Sequence, residues 1–418
     1  MRRPLRILFS PFGSEGDVNP LLRLAALMAA RGHRPEFLLT PHYGRLAEAH
    51  GFAWHPMGTQ DDFERMAKNP DLWKPGIGTW EVARAMHASL PAYAEAFEAA
   101  GGEFDLAVVS SFGLAASALA EARGIPRLML HLQPMVLRSH GDMPVPVAGG
   151  GWFCRAPAAV QDALFFCVDA VLNRTFLPPL NRFRAGLGLP PFRYFYRDAL
   201  MRAEAVALLF PDWFAPPQPD WPAGIRAFDF PLADGPPAPL PPALAAWLDS
   251  GGPPVLWTHG SANVHLAASH ALARTVAADV GGRHLLVGRS APEFPLPDGM
   301  LHFPHVAFED VFPRCRAVVH HGGIGTTSKA FAAGIPQVVI PLAHDQHDNA
   351  ARVQRLGAGI TSRHRARDVA RELRTVLSSS AIADTVARCH GLASESPSRF
   401  APLADWAESL AAGGCRGS

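Results

Sequence analysis

Eight consecutive residues, His320-His321-Gly322-Gly323-Ile324-Gly325-Thr326-Thr327, hold the densest chemistry in the chain. Three glycines in four positions tolerate positive φ and let a ligand come close to the backbone. A helix starting there presents unpaired N–H groups with partial positive charge, which makes a cradle for a pyrophosphate. The Thr326 and Thr327 hydroxyls and a His321 ring N–H add donors without adding charge. Without other signals, the same residues would serve as a plain glycine-rich turn with Thr326 as helix cap. The spacing is not G-x-G-x-x-G, which disfavours a nicotinamide enzyme.

A second constellation follows at Pro341-Leu342-Ala343-His344-Asp345-Gln346-His347-Asp348-Asn349-Ala350. Asp345 and Gln346 place a carboxylate and a carboxamide at the carboxyl end of an expected strand, over the crevice where open α/β sheets hold ligands. Such a pair accepts from and donates to vicinal hydroxyls, as sugar recognition requires. Alone it reads as a solvated loop; beside a pyrophosphate cradle it reads as a sugar site.

These groups need elements to hold them. Residues 5–10 form an apolar run, and 20–31 repeat Leu21, Leu24, Ala25 and Met28 at helical spacing, with Gly32 as the stop. Residues 36–40 then read as a strand, completing a βαβ unit. The same grammar recurs at 105–110, 113–123 and 127–131, and again at 254–258, 266–280, 284–287, 317–320, 326–333 and 337–340. This alternation predicts an α/β protein of two Rossmann-like, doubly wound parallel sheets facing a central cleft. Between the two blocks, residues 211–242 contain eleven prolines, too many for helix or central strand. The expected domains are therefore 1–212, a stiff linker over 213–242, a second domain over 243–400, and a tail over 401–418 that returns as a helix to the first domain.

Composition narrows the classes. The 418 residues are 48% hydrophobic with a formal net charge of +1, enough apolar content for ordinary cores and no basic field for nucleic acid. Five scattered cysteines at no metal or redox spacing argue against a disulfide scaffold and fit a reducing cytoplasm. Peripheral contact with the inner membrane is left open. No window is expected to span a bilayer; the nearest, 156–172, is interrupted by Gln161, Asp162 and Asp169.

The run Phe303-Pro304-His305-Val306, the glycine loop and the segment 345–350 together resemble the donor signature of GT-B nucleotide-sugar glycosyltransferases. Within them the chain is similar to the bacterial group of rhamnolipid rhamnosyltransferases and macrolide or glycopeptide glycosyltransferases. Gly13-Ser14-Glu15-Gly16-Asp17-Val18-Asn19-Pro20 resembles that group's acceptor-side loop, with Gly13, Ser14 and Gly16 as its backbone. The resemblance covers nearly the whole chain. It implies donor contacts at Thr258, Gly260 and Ser261, at His321, Gly323, Gly325, Thr326 and Thr327, and at Asp345, Gln346 and Asn349. It also implies a backbone contact from Val306 to the nucleobase, a dTDP- or UDP-linked sugar as co-substrate, and no metal or cofactor.

Asp17 has two readings. It caps a helix over 20–31, or, in the cleft opposite the donor motif, it is the general base that deprotonates an acceptor hydroxyl. An ordinary aspartate, at about 3.9, is ionised at neutral pH, and burial raises its basicity. Plant relatives use a histidine oriented by an aspartate from a later turn; here that turn is Val109-Ser110-Ser111-Phe112, with no acid, so what tunes Asp17 is open. One base and no evident covalent nucleophile imply inversion by single displacement. The resulting expectation is transfer of a hexose or deoxyhexose, rhamnose included, to a hydrophobic lipid-like or natural-product hydroxyl. A nucleotide-sugar epimerase and a non-catalytic nucleotide-sugar-binding protein are the alternatives.

The acceptor side is less defined. Val160, Ala163, Leu164, Cys167, Val168, Val171 and Leu172 repeat at helical spacing and are expected to face a core. Phe165, Phe166, Phe176 and Phe183, with Trp54, Phe63, Trp73 and Trp80, either line an apolar acceptor pocket or belong to cores. His344 and His347 lack the third converging ligand of a zinc site.

Overall fold

The computed structural model describes residues 3–232, 239–260, 263, 265–394 and 400–413. The first domain runs β1 (Arg6–Ser10), α1 (Glu15–Ala30), β2 (Arg34–Leu39), α2 (Pro41–Ala49), β3 (Ala53–Pro56), α3 (Gln60–Ala67) and α4 (Ile77–Ala99). It continues with β4 (Leu106–Ser110), α5 (Leu114–Ala122), β5 (Arg127–His131), α6 (Ala158–Gly186), β6 (Ala205–Leu209) and β7 (Ile225–Phe228). The second begins with α7 (Pro242–Asp249), β8 (Val255–Thr258), α8 (Ala267–Val280), β9 (His284–Val287), β10 (Met300–Phe303), α9 (Phe308–Val311) and β11 (Ala317–His320). It ends with α10 (Ile324–Ala333), β12 (Gln337–Val339), α11 (Gln346–Leu356), β13 (Gly359–Thr361), α12 (Ala366–Ser378), α13 (Ser380–Ser394) and α14 (Ala401–Gly413).

Both sheets are wholly parallel, ordered β3-β2-β1-β4-β5-β6-β7 and β10-β9-β8-β11-β12-β13. Strands β4, β5 and β6 are buried at every residue, because helices cover both faces. Alternate residues of β1 serve opposite cores: Leu8 packs with Leu38 and Val109, while Ile7 and Phe9 pack with Phe37 and Leu128. The strand order reverses between β1 and β4 and between β8 and β11, which opens a crevice at the carboxyl ends of each pair. Register fixes those ends: His320 lies beside Thr258, so the loops after β8 and β11 are neighbours.

The structure changes several expectations. Helix α1 begins at Glu15, not at residue 20, because Ser14 and Asp17 form a reciprocal capping box; Pro20 falls inside the helix. Helix α10 begins at Ile324 with Gly323 as its cap residue, so Thr326 is not the cap. The stretch 213–242 is not all linker, since its proline-free residues 225–228 add β7 to the first sheet. Helix α14 packs on the first domain through Leu403, Ala404 and Ala407, and Arg31 pairs with Asp405 at 2.7 Å and Glu408 at 2.9 Å.

Helix α6 departs most. Val160, Val168 and Val171 are 40%, 36% and 52% exposed, whereas Gln161 and, further along, Phe176, Leu177 and Leu180 are buried. The expected stripe therefore faces outward over the first half of the helix. Helix α6 is 29 residues long and contains an 18-residue window of mean hydropathy 1.3, so by length and composition alone it could cross a membrane, contrary to the reading of 156–172. The aromatic residues do not gather in one pocket: Phe176 stacks on Phe195, Phe63 stacks on His42, and Trp80 and Phe166 are exposed.

Candidate active site

Three strand-to-helix turns converge between the domains. The first follows β1, where Asp17 Oδ2 accepts the Ser14 backbone N–H at 2.8 Å and its hydroxyl at 3.2 Å. Gly13 has φ +135°, and a Cβ there would overlap the Asp17 carboxylate, so only glycine fits. Ser110, from the turn that lacks an acid, holds this loop by accepting the Phe12 N–H at 2.9 Å. Burial raises the Asp17 pKa to about 6, against the lowering effect of the Ser14 bonds. Capping and elevated basicity thus coexist in one carboxylate.

The second turn follows β11. No side chain caps α10, leaving its first N–H groups without a side-chain acceptor. His321 packs between two glycines: a Cβ at Gly260 would lie 2.8 Å from its Cε1, and one at Gly323 would overlap its Nε2. Burial lowers His321 to about 3, so the ring is neutral, and its Nδ1 is buried with no partner among the described residues. Its neighbour His320 turns away, sharing a 3.0 Å bond with Gln337 and accepting the Gly322 N–H at 3.1 Å, so the two rings do not converge on one ligand. Thr327 is fully buried and donates its hydroxyl to the Gly323 carbonyl at 3.1 Å, which sets it apart from the donors expected to face a ligand. Thr326 is buried, and Gly325 lines a cavity of about 40 Å³ together with Gly16 and Asn19 of α1.

The third turn follows β12. Gln346 Oε1 accepts the Leu342 and Ala343 N–H groups at 2.8 and 3.1 Å, so its oxygen braces the loop and its NH₂ group is what remains for a ligand. Asn349 donates to Asp345 Oδ2 at 2.7 Å and to the Gly322 carbonyl at 2.9 Å, tying α11 to the glycine loop, while its Oδ1 is buried without a partner among the described residues. Asp345 is half-buried and raised to about 7, desolvation first and the Asp17 charge among the further causes. The Asp17 charge thus adds to burial in disfavouring ionisation of Asp345 across the cleft. His344, just before Asp345, sits at φ +58°, the one non-glycine residue at positive φ among the described residues, and its ring meets Trp73 of the first domain edge-on.

Of the other expected contacts, Thr258 accepts the Gly260 N–H at 3.3 Å, and the Val306 side chain is core, packed with Val311 and Phe312. Ser261 lies outside the described residues. Among the described residues no group of three or more His, Cys, Asp or Glu is arranged to hold a metal ion.

Sequence reasoning missed the ties that cross the cleft. Arg289 of the second domain reaches Glu15 at 2.8 Å and His42 at 3.1 Å in the first. Arg23 and Lys329, from opposite domains, share Glu309 at 2.9 and 3.1 Å. Arg352 bonds Asp348 at 2.8 Å and Asp142 at 2.5 Å, Arg355 bonds Asp142 at 3.0 Å, and Asp348 accepts the Val145 N–H at 3.0 Å. Of these, only the four-residue spacing of Asp348 and Arg352 was visible as a helical ion pair.

The fold and site can be set beside known proteins. Residues 288–402 match the family model described as Erythromycin biosynthesis protein CIII-like, C-terminal domain. Over 376 residues the chain is 31% identical to Glycosyltransferase GtfE of Amycolatopsis orientalis, covering 85% of each chain. It is 29% identical over 364 residues to the O-mycaminosyltylonolide 6-deoxyallosyltransferase of Streptomyces fradiae, covering 84% of each. Among solved structures it superposes on the calicheamicin glycosyltransferase CalG4 with a TM-score of 0.69 at 22% identity over 98% of both chains. The two facing doubly wound domains are the GT-B architecture. The chain belongs to the GT-B glycosyltransferase family that includes the macrolide- and glycopeptide-modifying enzymes.

Proposed function

We propose that the protein is an inverting transferase that moves a hexose or deoxyhexose, rhamnose among the candidates, from a dTDP- or UDP-linked donor to a hydroxyl of a hydrophobic natural-product or lipid-like acceptor. The observation that carries this reading is the meeting of a half-buried Asp17 of raised pKa with the uncapped start of α10 and with Asp345. Asp17 takes the acceptor proton, the freed oxygen attacks the anomeric carbon, and the bond from that carbon to the diphosphate breaks. The departing charge falls on the α10 N–H groups and the neutral His321. Gly325, Thr326 and the NH₂ of Gln346 complete the donor contacts, with Asp345 and Asn349 toward the sugar. Support for the acceptor class comes from relatives such as the vancomycin aglycone glucosyltransferase, 30% identical, and for the donor from the neighbour VinC, solved with dTDP.

Thermal-shift profiling against dTDP- and UDP-sugars, followed by transfer assays on aglycones and lipid hydroxyls, tests the reading. Stabilisation by one nucleotide class and transfer to an apolar hydroxyl are expected. Transfer to polar sugars alone would remove the acceptor assignment.

Two further results are expected. The Asp17 base works only when deprotonated, so kcat/KM should fall about tenfold per pH unit below an apparent pKa of about 6. A pH profile flat down to pH 5 would contradict it. Gly323→Ala should push the His321 ring off the glycine loop and weaken nucleotide diphosphate binding by roughly ten- to a hundredfold, readable by calorimetric titration.

A further inference from the structure

We propose that the outer face of α6 is a docking surface for an anionic lipid bilayer, with the helix lying in the interface. Positions 160, 163, 167, 170, 171 and 174 share one side of a helix, and in the first half of α6 that side is Val160, Ala163, Cys167, Ala170 and Val171, all exposed. Phe166, 74% exposed, and Trp152, 58% exposed just before the helix, extend the apolar area. The acids of this half lie elsewhere: Asp169 pairs with Arg138 and Asp162 with His140. A face of this kind is unfavourable in water and marks an interaction site.

Its chemistry changes toward the other end. Continuing along the same side, Arg174 and Arg182 line an open groove between α6 and α4 with Trp80, Arg84 and His87. No carboxylate pairs with Arg174 or Arg182 among the described residues, whereas Arg84 of the same groove pairs with Glu81 at 3.2 Å. Arg155, also exposed, precedes the helix at its other end. An uncharged face bordered by tryptophans and free arginines complements acyl chains and anionic headgroups together. A transmembrane role does not fit, because Phe176, Leu177, Leu180 and Arg184 bury the second half of α6 in the protein core. The helix can therefore lie on a bilayer but not cross it. This inference is independent of which sugar or acceptor the active site takes.

Flotation of the full chain with phosphatidylcholine vesicles, with and without phosphatidylglycerol, tests it. Wild type should float with the anionic vesicles and remain in solution with the zwitterionic ones. Phe166→Asp with Val171→Asp should abolish flotation, and Arg174→Ala with Arg182→Ala should weaken it roughly 25-fold, at roughly fivefold per charge. All four positions are exposed, so the melting curves should match wild type. Absence of wild-type flotation, or equal flotation of both variants, would overturn the proposal. So would a wild-type dimer in sedimentation that Phe166→Asp converts to monomer, since a second copy would then cover the face.

Discussion

Asp17→Asn is expected to reduce transfer by about 10²–10⁴-fold while nucleotide-sugar binding stays at the wild-type level. The substitution is unusually clean for a capping residue. Asn keeps an oxygen that can accept the Ser14 N–H and hydroxyl bonds, now 2.8 and 3.2 Å, and it adds no volume against Gly13. The helix start should survive, and only the proton acceptor is lost. Stability supplies an independent readout. Because the folded pKa is raised from 3.8 to about 6, the carboxylate contributes full stability below about pH 4, and that contribution is lost as pH rises through about 6. Above that range the buried charge costs on the order of 2–3 kcal/mol, which Asn does not incur. The variant should therefore be more stable than wild type at pH 8 and no more stable at pH 4. An inactive and destabilised variant would make Asp17 a structural cap, while wild-type turnover would remove it from the chemistry.

How much of this was visible beforehand follows from the range over which each signal acts. The glycine loop, Asp345 and Asp17 are legible because a parallel strand delivers the next residues to its carboxyl end, and that rule needs only local sequence. The start of α1 was misplaced because Pro20 suggested a first turn, whereas the Ser14–Asp17 box set it five residues earlier. Strand β7 was hidden by prolines on both sides of residues 225–228, where pairing with β6 decides the conformation. The outward face of α6 shows the limit of periodicity, which reveals that a helix has an apolar side but not whether protein covers it. Likewise Thr327 and Thr326 are adjacent hydroxyls of one type; only the bond from Thr327 to Gly323 separates a helix brace from a possible donor. The contacts of Asp142, Arg289 and His344 join segments from different domains, and nothing local announces them.

The Asp142 contact leads to the second large effect. Arg352→Met is expected to lower stability by about 3–5 kcal/mol, because it strands the Asp348 and Asp142 carboxylates, 0% and 8% exposed, without their shared cation. The consequence should reach the site. Asp348 lies on α11 between Gln346 and Asn349, and through Val145 and Asp142 it is fastened to the long loop that follows β5 in the first domain. The same helix thus carries groups proposed to face the sugar and the clasp that holds it against the other domain. Asp142→Asn, which keeps the volume and weakens the clasp without exposing a cavity, separates the two roles. If the clasp positions α11, KM for donor and acceptor should both rise severalfold with a smaller change in kcat, and Arg352→Lys should rescue only in part, since a lysine cannot span both carboxylates with the guanidinium fork. If the clasp only holds the fold together, the fraction of active enzyme should fall while both KM values stay where they were, a distinction that active-site titration beside steady-state kinetics resolves.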